Sequence, residues 1–313
     1  MALRLKRMGA ALLLLSMFLL SPAWAEGRDF LVDADWLAAE KQSNKDLVIL
    51  EVRYHPHRYN TVGHIEGAVQ VKRFKDLGDN LGSPIMRFPA KNVFEKTLRS
   101  WGINNSSTVV IYDDSSTALA SRLYGTLELF GYDMSKVKIL DGGTIGWTGF
   151  NELTKESTPT PKEGNVTLKD ANPKMLVEWM AVYDDVVSRR APNVVLVDAR
   201  PADMYTGKVI KHAVQGGHIP GAINIVSIDG TDGQTQLWKS AEDIAALYKD
   251  IPNDKTVYIY CHDGFRMSLG WLQLKNLGYK DVRFLNGGWG VWDRAMTLPV
   301  VQGDNAYDEE YAL

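Results

Sequence analysis

The chain has 313 residues, 45% of them hydrophobic and 23% charged, with a formal net charge of −3 at pH 7 and a single cysteine. That balance suits a globular protein, and without a basic block or a basic-aromatic stripe it argues against nucleic acid as a partner. One cysteine cannot close an intramolecular disulfide, so stability has to come from packed cores and Cys261 needs another explanation.

In chain order, Arg4, Lys6 and Arg7 precede an apolar run from Met8 to Leu20 and then Ser21-Pro-Ala23-Trp-Ala25. Small residues at Ala23 and Ala25 complete the pattern of a cleavable signal peptide over residues 1–25. The apolar run falls short of the roughly 20 residues of a membrane-spanning helix. A lipid anchor would need a cysteine at the cleavage site, and there is none. The expectation is a periplasmic or secreted chain with no stable membrane anchor. At about 150 residues per domain, the remainder predicts two domains, each large enough to bury its own core.

Four landmarks occur twice in the same order, which identifies an internal repeat. The first copy carries Leu47-Val-Ile-Leu-Glu51-Val-Arg53, Gly63-His-Ile-Glu-Gly67-Ala, Val109-Val-Ile-Tyr-Asp113-Asp and Val137-Lys-Ile-Leu-Asp141-Gly142-Gly143. The second carries Val194-Val-Leu-Val-Asp198-Ala-Arg200, Gly217-His-Ile-Pro-Gly221-Ala, Val257-Tyr-Ile-Tyr-Cys261-His and Val282-Arg-Phe-Leu-Asn286-Gly287-Gly288. The repeat predicts an N-terminal domain over 26–153 and a C-terminal domain over 173–303. Residues 154–172, rich in Thr, Pro, Lys and Glu, read as a surface linker, and 304–313 as a loosely held acidic tail.

Short β-branched runs without polar alternation predict buried strands. They alternate with helical spacing over Ala118–Phe130, Ala241–Lys249 and Arg266–Leu277, the last followed by Gly278 as a stop. The fold class is therefore α/β, each copy a mainly parallel sheet flanked by helices.

Ligands in such sheets sit beyond the carboxyl ends of the strands, where a tight loop presents backbone N–H groups at a helix start. Cys261 occupies that point, between the strand ending at Tyr260 and the loop His262-Asp263-Gly264-Phe265-Arg266. Convergent amides and the helix dipole predict a thiol shifted below its ordinary value of about 8.5, placed as a nucleophile. Gly264 suits a positive φ. Arg266 suits a guanidinium held over a bound anion. The alternative is an inert cysteine closing a buried strand.

The ordered set Asp-Ala-Arg, Gly-His-Ile-Pro-Gly-Ala, Cys-x-x-Gly-x-Arg and Asn-Gly-Gly-x-x-x-Trp resembles the rhodanese family, over nearly all of the chain after the leader and twice. The tandem arrangement, with Asp113 in place of a cysteine, is similar to thiosulfate and 3-mercaptopyruvate sulfurtransferases. The resemblance implies that Cys261 takes a sulfane sulfur from a small donor, thiosulfate favoured and 3-mercaptopyruvate possible, and passes it to a thiophilic acceptor such as cyanide or a thiol. The amides of His262, Asp263, Gly264, Phe265, Arg266 and Met267 would hold the persulfide, with no metal or organic cofactor. Asp198 and Arg200 would brace the fold beside the site, and His218 would steady a turn.

The sequence departs from the family pattern at His262 and Asp263, where these enzymes carry added positive charge or Gly and Ser. Met204 stands where an arginine grips the donor. Lys208, Lys211 and His212 could supply that charge from a nearby loop, although they read as a solvated segment. Four residues between Cys261 and Arg266, against five in tyrosine phosphatases, make the cradle small for phosphate. A non-turnover sulfur carrier or docking module, fed by a protein partner, remains the competing reading, and a protein acceptor is possible. His55 and His57 lack a third ligand for a metal. Trp289 and Trp292 read as core.

Overall fold

The computed structural model describes residues 28–79 and 85–307. The expected leader over 1–25 and residues 308–313 of the tail lie outside them. No helix among the described residues is long and apolar enough to cross a membrane.

Among the described residues, ten strands form two five-stranded sheets. The first contains β1 (Leu31–Val32), β2 (Leu47–Val52), β3 (Val69–Val71), β4 (Thr108–Asp113) and β5 (Val137–Leu140) in the order β1-β5-β4-β2-β3. The second contains β6 (Leu176–Val177), β7 (Val194–Asp198), β8 (Ala222–Asn224), β9 (Thr256–Tyr260) and β10 (Val282–Leu285) in the order β6-β10-β9-β7-β8. Every pairing is parallel. The register repeats too: Glu51 lies opposite Tyr112 in one sheet and Asp198 opposite Tyr260 in the other. The central strands β4 and β9 are covered on both faces, which is why they lack alternation.

Each sheet buries one face in an apolar cluster of its own, as domain size predicts, and the other face in a cluster that the two copies share. One apolar cluster runs from Ile111 and Leu123 of the first copy to Ile259 and Trp271 of the second, and smaller clusters occupy the outer faces. Its centre is the packing of the Ala118–Leu129 helix against the Phe265–Asn276 helix. Both helices are buried around most of their circumference, as their composition requires. Polar ties cross the same boundary: Trp238 Nε1–H donates to Thr117 Oγ1 at 2.8 Å, and Phe88 N–H to Asn286 Oδ1 at 3.1 Å.

The segment 154–172 crosses the surface, mostly exposed, but is anchored along its way. Val166 and Leu168 are buried, Leu168 N–H donates to Glu95 Oε2 at 2.8 Å, and Lys169 N–H to Phe130 O at 2.9 Å. Its first residues have a counterpart in the tail. His64 stacks on Tyr59, pairs with Thr154 and reaches Thr158 Oγ1 at 3.3 Å. His218 stacks on Tyr205, pairs with Val301 and contacts Asn305 O at 3.0 Å. In each copy the chain returns after its last helix to cap the Gly-His-Ile turn. The start of the acidic tail is therefore docked: Gly221 N–H donates to Ala306 O at 2.7 Å, and Arg190 lies 4.3 Å from the Tyr307 ring. The bonds win over the tail's charge because they satisfy buried backbone and imidazole groups. Ending the chain after Gly303 should lower the unfolding free energy by about 2 kcal/mol, from a few lost hydrogen bonds. Chemical denaturation of the truncated and full chains measures it, and equal midpoints would mean that the tail is not holding this turn.

Candidate active site

The site is built where β9 ends. Apolar, β-branched Val257 and Ile259 bury the strand and deliver Cys261, fully buried, to the start of the Phe265–Asn276 helix. Gly264 makes the turn at φ +94°, a left-handed conformation that favours glycine, and its N–H donates to Cys261 Sγ at 3.1 Å. A side chain there would meet Arg122 Nη1 at 2.9 Å. The Met267 N–H also faces the sulfur. Behind the loop, Gly288 allows a second close approach, since a Cβ would stand 2.4 Å from Cys261 O. Trp289 N–H donates to that carbonyl at 2.8 Å.

The first copy holds an anion in the equivalent cradle. Asp113, fully buried at the end of β4, accepts from Ser115 and Thr117 N–H through Oδ1, each at 3.0 Å. Its Oδ2 accepts from Leu119 N–H at 2.8 Å and Ala120 N–H at 2.9 Å. Burial pushes this carboxyl up to about 6 against the pull of those amides. Strand, loop and helix start thus form a receptor for one small buried anion, filled in the first copy by the chain itself.

Cys261 does not follow the sequence expectation of a depressed thiol. Burial pushes it above its ordinary value and Asp263 adds to that; the Met267 amide, Arg266 and the Gly264 amide pull the other way without overcoming it. Loss of hydration outweighs the amides and the helix start because Sγ is wholly removed from water.

Above the loop lies a cavity of about 330 Å³ between the two copies. His262, Asp263, Phe265 and Arg266 line it, whereas Cys261, Gly264 and Met267 lie beneath. Burial chiefly lowers the affinity of His262 for a proton. Met204 lines the cavity, and so do Lys211 and His212, which are exposed but not merely solvated; Lys208 does not reach it. The first copy contributes Tyr54 and Arg73, which sequence reasoning missed. Arg73 is wedged 4.0 Å from the Tyr54 ring, 4.3 Å from Phe74 and 5.8 Å from Phe265. No motif marks Arg73. Arg122 did leave a signal, as a lone cation inside an apolar helical run.

Asp198 and Arg200 sit behind the loop. Arg200 Nη2 donates to Asp198 Oδ2 at 2.6 Å and to Gly217 O at 2.7 Å, and its guanidinium lies 4.5 Å from the Trp289 ring. Burial acts against the charge of Arg200, but the Asp198 carboxylate outweighs it and the net shift is upward. Glu51 and Arg53 form the first-copy equivalent, with Arg53 Nη2 donating to Gly63 O at 3.0 Å. His55 and His57 are exposed and lie on the other copy from Cys261. Trp289 and Trp292 are fully buried.

The chain is similar to known proteins along most of its length. The rhodanese-like domain matches residues 33–149 and again 184–295. A Haloferax volcanii protein named as a thiosulfate sulfurtransferase is 31% identical over 88% of this chain and 98% of its own. A Thermus thermophilus protein named sulfur carrier protein TtuD is 29% identical over the same shares. The structure of the Escherichia coli 3-mercaptopyruvate sulfurtransferase SseA superposes with a TM-score of 0.73 at 26% identity, over 83% of this chain and 98% of that one. With two matched segments, one cradle holding a cysteine and the other an aspartate, this chain belongs to the rhodanese family of sulfurtransferases as a tandem two-domain member.

Proposed function

We propose that the protein moves a sulfane sulfur from a small anionic donor to a thiophilic acceptor through a persulfide on Cys261. The observation that carries this reading is the Asp113 cradle, since it supports the equivalent loop as a holder of one small buried anion. In the first half-reaction the thiol proton leaves to solvent and the thiolate attacks the outer sulfur of thiosulfate. A sulfur–sulfur bond forms to Cys261 as the donor's own breaks, and sulfite departs. In the second, cyanide or a thiol attacks the outer sulfur, forming thiocyanate or a new persulfide and returning the Cys261 thiolate. The Gly264 and Met267 N–H groups are arranged to receive the negative sulfur in both halves.

The charge of the cavity supports an anionic donor. Among the residues that line it, Arg73, Lys211 and Arg266 stand against the single carboxylate of Asp263. Lys211 and Arg73 compensate for Met204, which cannot grip a carboxylate or a thiosulfate oxygen. Thiosulfate is the favoured donor and 3-mercaptopyruvate a possible one. The expected leader supports action outside the cytoplasm. A second reading, a carrier that receives persulfide from a protein and does not turn over small donors, is favoured by the complete burial of Cys261 and by the similarity to a protein named a sulfur carrier.

Whole-protein mass spectrometry after incubation with thiosulfate should show a gain of one sulfur that cyanide removes and that Cys261→Ser lacks. An unmodified chain with both donors, together with a Cys261 that still alkylates, would favour the carrier. Lys211→Ala should raise KM for thiosulfate about three- to tenfold with kcat little changed, the signature of a group that binds donor and transition state alike. Steady-state kinetics at low salt reads this. Because the raised thiol is reactive only as its thiolate, alkylation should fade as pH falls through its elevated midpoint. Asp263→Asn should move that midpoint down and speed alkylation at pH 7 by about fivefold. An unchanged pH–rate profile would remove Asp263 from the control of the thiol.

A further inference from the structure

We propose that Arg122, supplied by the first domain, is a positioning residue whose buried guanidinium stabilises the anionic sulfur of Cys261 in the second. This rests on the reading of Cys261 as the sulfur-bearing nucleophile and gives the cysteine-free domain a part in the chemistry. Arg122 sits in the Ala118–Leu129 helix and is fully buried. Its Nη2 donates to Leu77 O at 3.3 Å, while Nε and Nη1 have no hydrogen-bond partner among the described residues. The guanidinium lies 3.4 Å from the centre of the Phe88 ring, which fixes its plane. Its Nη1 and Cζ stand 2.9 and 3.2 Å from the point where a Cβ on Gly264 would be. The cation therefore presses on the residue whose N–H holds Sγ. Glycine at 264 is required by the turn and by this approach together.

Burying a guanidinium without a full set of partners is unfavourable, and an apolar side chain of similar volume serves packing better. Position 122 lies in the shared core, where methionine or leucine would fit the surrounding pattern. What the arginine adds is charge where the interface meets Gly264, whose N–H holds the sulfur. Burial pulls Arg122 down to about 9, so it remains mostly protonated at neutral pH, and Cys261, Asp263 and Asp79 all favour its charged form. The charged groups that act on Cys261 are Asp263 and Arg266 on its own loop, Arg200 behind it and Arg122 across the interface, while Asp79 acts on Arg122. Arg122 is the first domain's cation in that set. Its attraction acts on the thiolate and persulfide but not on the neutral thiol, and is strengthened because both groups are buried.

The test is the pH dependence of Cys261 alkylation by iodoacetamide in the full chain, where the single cysteine makes the readout unambiguous. Arg122→Met should move the midpoint up by about one pH unit and slow alkylation at pH 7 about tenfold. Its thermal midpoint should stay level or rise, because an incompletely paired buried charge has been removed. Arg122→Lys should retain part of the native profile. A native alkylation midpoint in a less stable Arg122→Met chain would overturn the proposal and leave Arg122 a packing residue. Should Arg122→Met fail to fold, Arg122→Gln, which keeps a donor for Leu77 O, reads the same midpoint with the same two outcomes. The experiment is independent of any donor. A shifted midpoint in a chain that transfers no sulfur would count against the proposed function and not against this role.

Discussion

At the carboxyl end of a central parallel strand, backbone N–H groups converge on a space large enough for one buried anion, and every feature of the site follows from how that space is filled. In the first copy the chain fills it with the Asp113 carboxylate and four amide hydrogens. In the second it places a thiol there and leaves the amides able to receive a sulfur. A strand buried on both faces, a turn with left-handed backbone and an abrupt helix start are needed to form the cradle at all. The same geometry thus serves as a permanent structural bond in one half and, on the proposed function, as the reaction site in the other.

Fusion of the two halves through the Ala118–Leu129 and Phe265–Asn276 helices has a consequence beyond stability. Each helix begins at a cradle, so packing them together brings the two loops to a common boundary. The cavity forms there, with walls from both copies, and the first copy reaches into the second copy's site with Arg73 from one side and Arg122 from another. The cysteine-free copy thus forms part of the walls around the Cys261 loop as well as supporting it.

Burial sets the character of the Cys261 thiol. Removing Sγ from water makes its negative form harder to reach, and Asp263 makes it harder still. The opposing forces are local amides, Arg266 on the loop, and the buried cations Arg122 and Arg200, whose charges interact with the sulfur. A thiol held in this balance is less open to oxidation, since oxidation follows thiolate character and exposure.

Much of this was legible in the residues themselves. Repeated landmarks disclosed the tandem architecture, unbroken β-branched runs marked parallel strands, and the passage from Tyr260 through Gly264 into a helical pattern placed Cys261 at a strand end. Those features depend on short-range periodicity and on backbone conformations that few residues adopt, so they can be read locally. Tertiary structure alone decided the shared core, the docking of residues 154–172 and of the first tail residues, the raised thiol, and the arrival of Arg73 and Arg122 beside a loop far along the chain. Periodicity says which face of an element is buried but not what it is buried against. The sulfur's hydration and the charges around it are set by segments that meet only when the two copies close on each other.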